Sequence, residues 1–276
     1  MRTVALISVV AVMLPSMGLA HGDLHEQIAQ VTASLQKSPG NAELLFKRAE
    51  LYRAHMDWRE AEADYDALEK LAPELDAVHL GRGKLLLATG RFEPAEVALD
   101  RFLAAHPEHV EGLVTRARVR AKQRDYRAAA ADFATAIRLS AQPEPEHYLE
   151  SAQALEAAGG EHIAEALRVL DEGLTKLGSL PTLGFQAIDF EVKRGAYDAA
   201  LARLERLSAG ARRKEMWLER RGDILAKAGR LNEAQQAFHQ AREAIAALPN
   251  HLRTTKAMLE LEGRLKVRTA AAPKTE

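Results

Sequence analysis

His21, Asp23 and His25, in the stretch HGDLH, have the types and spacing that can hold a metal ion. Were His21 an amino terminus, its amine and imidazole would chelate one ion, with Asp23 and His25 close by. Copper(II) favours such nitrogen donors. The plainer reading is a frayed terminus that leads into a helix. His106 and His109, in HPEH, offer two imidazoles and a glutamate at a turn. A metal site needs about four ordered ligands, so a solvated loop explains that pair better. Beyond these, the chain has no glycine-rich phosphate loop, no HExxH and no Gly-x-Ser-x-Gly. It has no cysteine, which excludes disulfides, thiolate chemistry and cysteine-bound zinc. No acid, base and nucleophile group together, so the sequence predicts neither intrinsic catalysis nor a cofactor.

The elements that would position any site are announced from the start. Residues 1–20 read as a cleavable export leader: Arg2, an apolar run from Val4 to Leu14, Pro15, then Gly18 and Ala20. The run is shorter than the roughly 20 apolar residues that span a bilayer. The mature chain would begin at His21, without a membrane span, in the periplasm of a bacterium or outside the cell. Losing Arg2 leaves 37 basic and 39 acidic residues, a formal charge of −2. A near-neutral chain does not attract nucleic acid through its overall field. The basic stretch TRARVRAKQRDYR at 115–127 lacks an interleaved aromatic series and reads as a solvated helix.

One ten-residue phrase recurs: MDWREAEADY, GRFEPAEVAL, RDYRAAAADF, GAYDAALARL and GRLNEAQQAF. Trp58, Phe92 and Tyr126 are 34 apart, and so are Tyr197 and Leu231. Ile163 divides the remaining gap into 37 and 34, with the extra residues near AAGGEH at 157–162. Small residues keep step at Ala61, Ala95, Ala129, Ala166, Ala200 and Ala234, and upstream at Ala49, Gly83, Ala117 and Gly222. Ile188 breaks the upstream column. Large residues follow at Tyr65, Leu99, Phe133, Leu170, Leu204 and Phe238. A fixed period of this size means stacked helical hairpins. Small residues at each crossing let two backbones approach, and the large residue fills the space beside them.

These columns resemble the tetratricopeptide repeat family over residues 41–249, in six units near 42–75, 76–109, 110–143, 144–180, 181–214 and 215–249. The resemblance implies an all-α, right-handed solenoid that binds a protein or peptide along the first helices of its units. Residues 21–40 are expected as an N-terminal capping helix, with Asp23 and Glu26 as a capping box. Residues 250–267, starting at Asn250, are expected as a C-terminal cap, and 268–276 as a disordered tail. LSAGARRKE at 207–215 is expected to be the weakest joint, since no proline closes it. Arg48, Arg82, Arg116 and Arg221 depart from the family, which usually has leucine there. Their stems must run along the surface.

The expected inner stripe is Phe46, Glu50 and Arg53; Leu80, Lys84 and Leu87; Val114, Arg118 and Lys122; Phe185 and Asp189; and Glu219 and Asp223. Cations lead and acids follow, so a partner segment would be held in one direction. Some members of the family clamp a terminal carboxylate with lysine and asparagine. Glu50, Lys84 and Arg118 stand where those asparagines would be, which argues against that clamp here. The reading is an exported, non-catalytic protein-binding scaffold. The alternatives are a copper accessory protein using His21 and His25, or a non-catalytic subunit of an envelope enzyme. Oligomeric state is left open.

Overall fold

A left-handed turn recurs through the chain. Gly90, Gly195 and Gly229 take φ of 75°, 76° and 76°, and Met56 and Arg124 take 68° and 67° in the same column. The turn closes a first helix by a bond that spans five residues: Asp57 N to Tyr52 O at 2.9 Å, Arg91 N to Leu86 O at 2.9 Å, and Arg230 N to Leu225 O at 2.9 Å. The second helices then begin at Trp58, Phe92, Tyr126, Ile163, Tyr197 and Leu231, the aromatic or aliphatic column of the repeat.

The computed structural model describes residues 17–178 and 180–270, with only the backbone of residues 17–22. Residues 1–16 of the expected leader and 271–276 of the expected tail lie outside the described residues. No described helix is long and apolar enough to cross a membrane. The described residues are all-α, and the chain divides into two units at Gln123 and Arg124. The first unit holds α1 (Met17–Lys37), α2 (Ala42–His55), α3 (Trp58–Leu71), α4 (Ala77–Ala88), α5 (Phe92–Ala105) and α6 (Val110–Lys122). The second holds α7 (Tyr126–Leu139), α8 (Pro145–Ala158), a single 3-10 turn (Gly160–His162), α9 (Ile163–Leu177) and α10 (Pro181–Lys193). It continues with α11 (Tyr197–Ser208), α12 (Glu215–Lys227), α13 (Leu231–Ala246), α14 (Asn250–Arg253) and α15 (Lys256–Ala270).

The crossings are as the spacing requires. Ala49, Ala61, Ala95, Ala117, Ala129, Ala166, Ala200 and Ala234 are buried, as are Tyr65, Leu99, Phe133, Leu170, Leu204 and Phe238. A Cβ added at Gly83 would lie 2.5 Å from Leu99 Cγ, and one at Gly222 would press into the Phe238 ring. Ile188 is fully buried beside Ala200, Leu204 and Ile224. The stretch 157–162, where the extra residues were expected, holds Gly159 at φ 147° and the 3-10 turn Gly160–His162.

Three of the four arginines that replace leucine, Arg48, Arg82 and Arg116, meet carboxylates. Arg48 grips Asp64 with Nε and Nη2 at 2.8 and 2.7 Å. Arg82 reaches Asp66 at 2.7 Å and Arg116 reaches Asp100 at 2.8 Å, each on the preceding helix. Half-buried guanidiniums with carboxylate partners thus do part of the work of apolar contacts.

Both caps differ in detail from expectation. The helical backbone of α1 already runs from Met17, so Asp23 lies inside the helix and forms no capping box. Ile28, Val31 and Leu35 are its buried face. At the other end, the chain breaks after α14 and starts a new helix at Lys256 that continues to Ala270, past the expected boundary at 267. The loop from Ala209 to Lys214 parts α11 from α12, and a cleft of about 560 Å³ opens between them, lined by Leu201, Leu204, Trp217 and Leu218.

Candidate partner-binding surface

In the first unit the expected stripe lies on α2, α4 and α6. Its centre is a hydrogen-bonded cluster. The Tyr65 hydroxyl reaches from α3 and donates to Glu50. Gly81 makes room, since a Cβ there would sit 2.6 Å from both the hydroxyl and Glu50 Oε1. Arg53 Nη2 donates to Glu50 Oε2 at 2.7 Å. Burial opposes the charge on Glu50, but Arg53 and Tyr65 together hold its carboxyl below the ordinary value. Burial, with the charge of Glu50, pushes the Tyr65 phenol well above its ordinary range. Lys84 Nζ lies 2.5 Å from Glu111 Oε1.

This geometry changes the expected stripe. Val114 is 4% exposed, so it belongs to the interior and does not line a surface. Phe46, Leu80 and Leu87 are half-buried against the core of the unit. Arg53 and Lys84 have carboxylate partners of their own, and Arg118 and Lys122 are exposed. Arg116 and Arg120 of the basic stretch meet Asp100 and Glu96 of α5, each at 2.8 Å.

The second unit presents a different surface. Phe185 on α10 stacks on Trp217 of α12, with ring centres 5.0 Å apart and planes 19° apart. Met216 beside them is 63% exposed and Phe185 37%. Together with Asp189, Arg220 and the polar groups described next, they line an open cleft of about 590 Å³. Asp189 pairs with Arg220. Glu219, nearly buried, accepts from Arg264 Nε and Nη2 at 2.9 and 3.0 Å and from Arg268 Nη1 at 2.8 Å. Arg268 also lies 2.9 Å from Asp223. Burial raises the Asp223 carboxyl above its ordinary value, and Arg268 opposes that shift. The cleft therefore combines an exposed aromatic and methionine platform with a balanced rim of acids and arginines.

The structure thus gathers Phe185, Asp189, Glu219 and Asp223 at one cleft, and Glu50 and Arg53 in one cluster. Met216, Trp217, Arg220, Arg264 and Arg268 are absent from the stripe read from sequence. A pairing signal existed for two of them. Arg264 and Arg268 are four apart on one helix, as are Glu219 and Asp223 on another.

The histidines find local partners. His25 meets the ring of His55 at 4.3 Å, and His55 Nδ1 lies 2.9 Å from Asp57 Oδ2. The His21 side chain lies outside the described residues. Among those described, no group of three or more His, Asp or Glu side chains is placed to hold a metal ion. The His109 ring caps α6 by accepting from Gly112 N at 3.1 Å, and both His106 and His109 pack on Phe102 at 4.8 and 4.9 Å.

Comparison with known proteins follows the same architecture. Residues 46–110 and 114–176 match the tetratricopeptide repeat, and residues 185–260 match the tetratricopeptide repeat-like domain. No curated protein sequence matches the chain. Among solved structures, the C-terminal part of a TPR repeat-containing protein from Cytophaga hutchinsonii superposes with a TM-score of 0.64 at 16% identity, over 87% of this chain and 94% of that one. A tetratricopeptide repeat protein from Parabacteroides merdae ATCC 43184 gives 0.54 at 19% identity, over 89% and 94%. YrrB, described as a TPR protein with an unusual peptide-binding site, gives 0.50 at 16% identity, over 68% and 94%. With repeat matches across most of its length and hairpins that cross at the repeat's own columns, the chain belongs to the tetratricopeptide repeat family.

Proposed function

We propose that the protein is a non-catalytic scaffold of the bacterial periplasm that holds a partner protein by an extended or helical segment. The family's fold points to protein interaction, and the leader-like residues 1–20 support export. The observation that carries the reading is the Phe185, Met216 and Trp217 platform. Phe185 and Met216, kept exposed around a half-buried Trp217 and beside paired charges, are characteristic of a contact surface. The platform sits on α10 and α12, first helices of their hairpins, where the sequence placed the acidic end of the stripe. Tryptophan and methionine suit the centre of such a contact, and the Asp189 and Arg220 rim suits its edge. A peptide-sized contact of this kind binds at about micromolar strength, roughly 8 kcal/mol.

The test is affinity capture from periplasm with the wild-type chain, a Phe185→Ala/Trp217→Ala variant and a Lys84→Glu/Arg118→Glu variant. A prey protein lost with the first variant places the contact on the second unit. Loss with the second variant alone would move the contact to the first unit. An identical set of prey in all three lanes would reject both faces as the binding surface.

A further inference from the structure

The stretch LELEGRLKVR at 259–268 repeats the order of LERRGDILAK at 218–227. Leu259 answers to Leu218, Glu260 to Glu219, Gly263 to Gly222 and Leu265 to Ile224. α15 is therefore built as the first helix of another hairpin. In the completed hairpins the glycine is a socket: Gly83 is filled by Leu99 and Gly222 by Phe238. At Gly263 nothing among the described residues lies within 4 Å of where a Cβ would be. Around this empty socket Leu259 is 54% exposed and Val267 72%. The opposite face of α15, with Met258, Leu261 and Leu265, is already buried against the second unit. The outward face of α15 thus sets Leu259, Gly263 and Val267 in one apolar stripe beside the exposed Glu260 and Lys266.

We propose that this face is an interface between two copies of the chain, their α15 helices packed antiparallel and crossing at Gly263. The charges select this partner and this direction. About a two-fold axis through Gly263, Glu260 of each copy faces Lys266 of the other, and Leu259 faces Val267. Each contact therefore occurs twice. A parallel pairing would set Glu260 against Glu260 and Lys266 against Lys266. The glycine lets the two backbones approach at the crossing. Within one copy Glu260 has Lys256 at 3.9 Å and the charge of Arg264 one turn on, and Lys266 has Glu262 at 3.0 Å. Both are exposed pairs along one helix, weak enough to yield to pairing between copies. The helix is about 22 Å long at 1.5 Å per residue. A single crossing of that length buries less than the roughly 1,600 Å² of a standard stable interface. The dimer is accordingly weak, with a Kd in the micromolar range or above.

Sedimentation equilibrium of the exported protein over the micromolar range tests this, with circular dichroism as the control for folding. The expected result is a monomer–dimer equilibrium. Val267→Glu abolishes it, Glu260→Lys and Lys266→Glu each weaken it about tenfold or more, and the double variant Glu260→Lys/Lys266→Glu restores it. All three side chains are exposed, so helix content stays unchanged. A monomer at every concentration would overturn the proposal. So would a dimer indifferent to Val267→Glu, or a double variant no tighter than the single ones.

Discussion

Gly83→Ala and Gly263→Ala are the same chemical change with opposite expected outcomes. Inside a helix, alanine is favoured over glycine by about 1 kcal/mol, because glycine loses more backbone freedom on folding. At Gly83 that gain meets a steric obstacle. The new methyl would lie 2.5 Å from Leu99 Cγ and 2.7 Å from Leu99 Cδ2, well inside contact. Leu99 is fully buried, so it cannot swing into solvent. Overpacking a tight crossing costs about 1–3 kcal/mol, so the net change is destabilising by up to about 2 kcal/mol. For a chain of this size that lowers the melting midpoint by up to about 8 °C. Gly263 is open and exposed, so alanine there should gain about 1 kcal/mol. The two tryptophans make the assay local: Trp58 belongs to the first unit and Trp217 to the second. Thermal melts followed by Trp58 fluorescence in a Trp217→Phe background report Gly83→Ala, and Trp217 in a Trp58→Phe background reports Gly263→Ala. Dilute protein keeps any association out of the reading. A rise with Gly83→Ala matching that of Gly263→Ala would refute the crossing geometry on which the fold description rests.

Other expectations can be checked on the same variants' scale. Arg203 donates to Glu191 Oε1 at 3.1 and 2.7 Å and to Asp171 at 2.6 Å, while Glu191 Oε2 has no partner among the described residues. Arg203→Met should therefore leave a buried carboxylate uncompensated and cost about 3–5 kcal/mol, largely recovered in Arg203→Met/Glu191→Leu, as urea titration would show. Met56→Gly should stabilise the first unit by up to about 1 kcal/mol, since Met56 holds a left-handed φ of 68°; a lower melting midpoint would count against it. Glu50 has a carboxyl lowered from 4.5 in the folded state, so its contribution to stability is present above that value and fades as pH falls through the folded value. Tyr65→Phe removes one donor and should make the acid loss of the first unit begin at higher pH, read by Trp58 fluorescence; an unshifted acid limb would show that the Tyr65 bond does not matter.

The hairpin count, the starts of the second helices and the small-residue crossings were legible because each is fixed by a repeated local constraint. A crossing needs alanine or glycine at one point, and the same need recurs at every unit. The surface was less legible because it depends on what each stripe residue meets. Val114 has the spacing of a lining residue, yet it turns inward. Lys84 reads as a free cation until Glu111 is seen beside it. Glu219 was placed on the stripe, but its arginine partners come from α15, some 45 residues on. The capping box at Asp23 failed for a simpler reason: helical backbone already runs from Met17, so Asp23 does not stand at a helix start. The empty socket at Gly263 was written in the same column as Gly222, but the break after α14 shifts the register by 41 rather than 34 residues.

The most direct test of the binding surface is a photo-crosslinking amino acid placed at Phe185 in exporting cells, with the same probe at Val97, an exposed apolar residue of α5, as the comparison. The platform predicts a discrete crosslinked protein from position 185, suppressed by Trp217→Ala and absent from position 97. Equal crosslinking from both positions, or a position 185 product that survives Trp217→Ala unchanged, would contradict it.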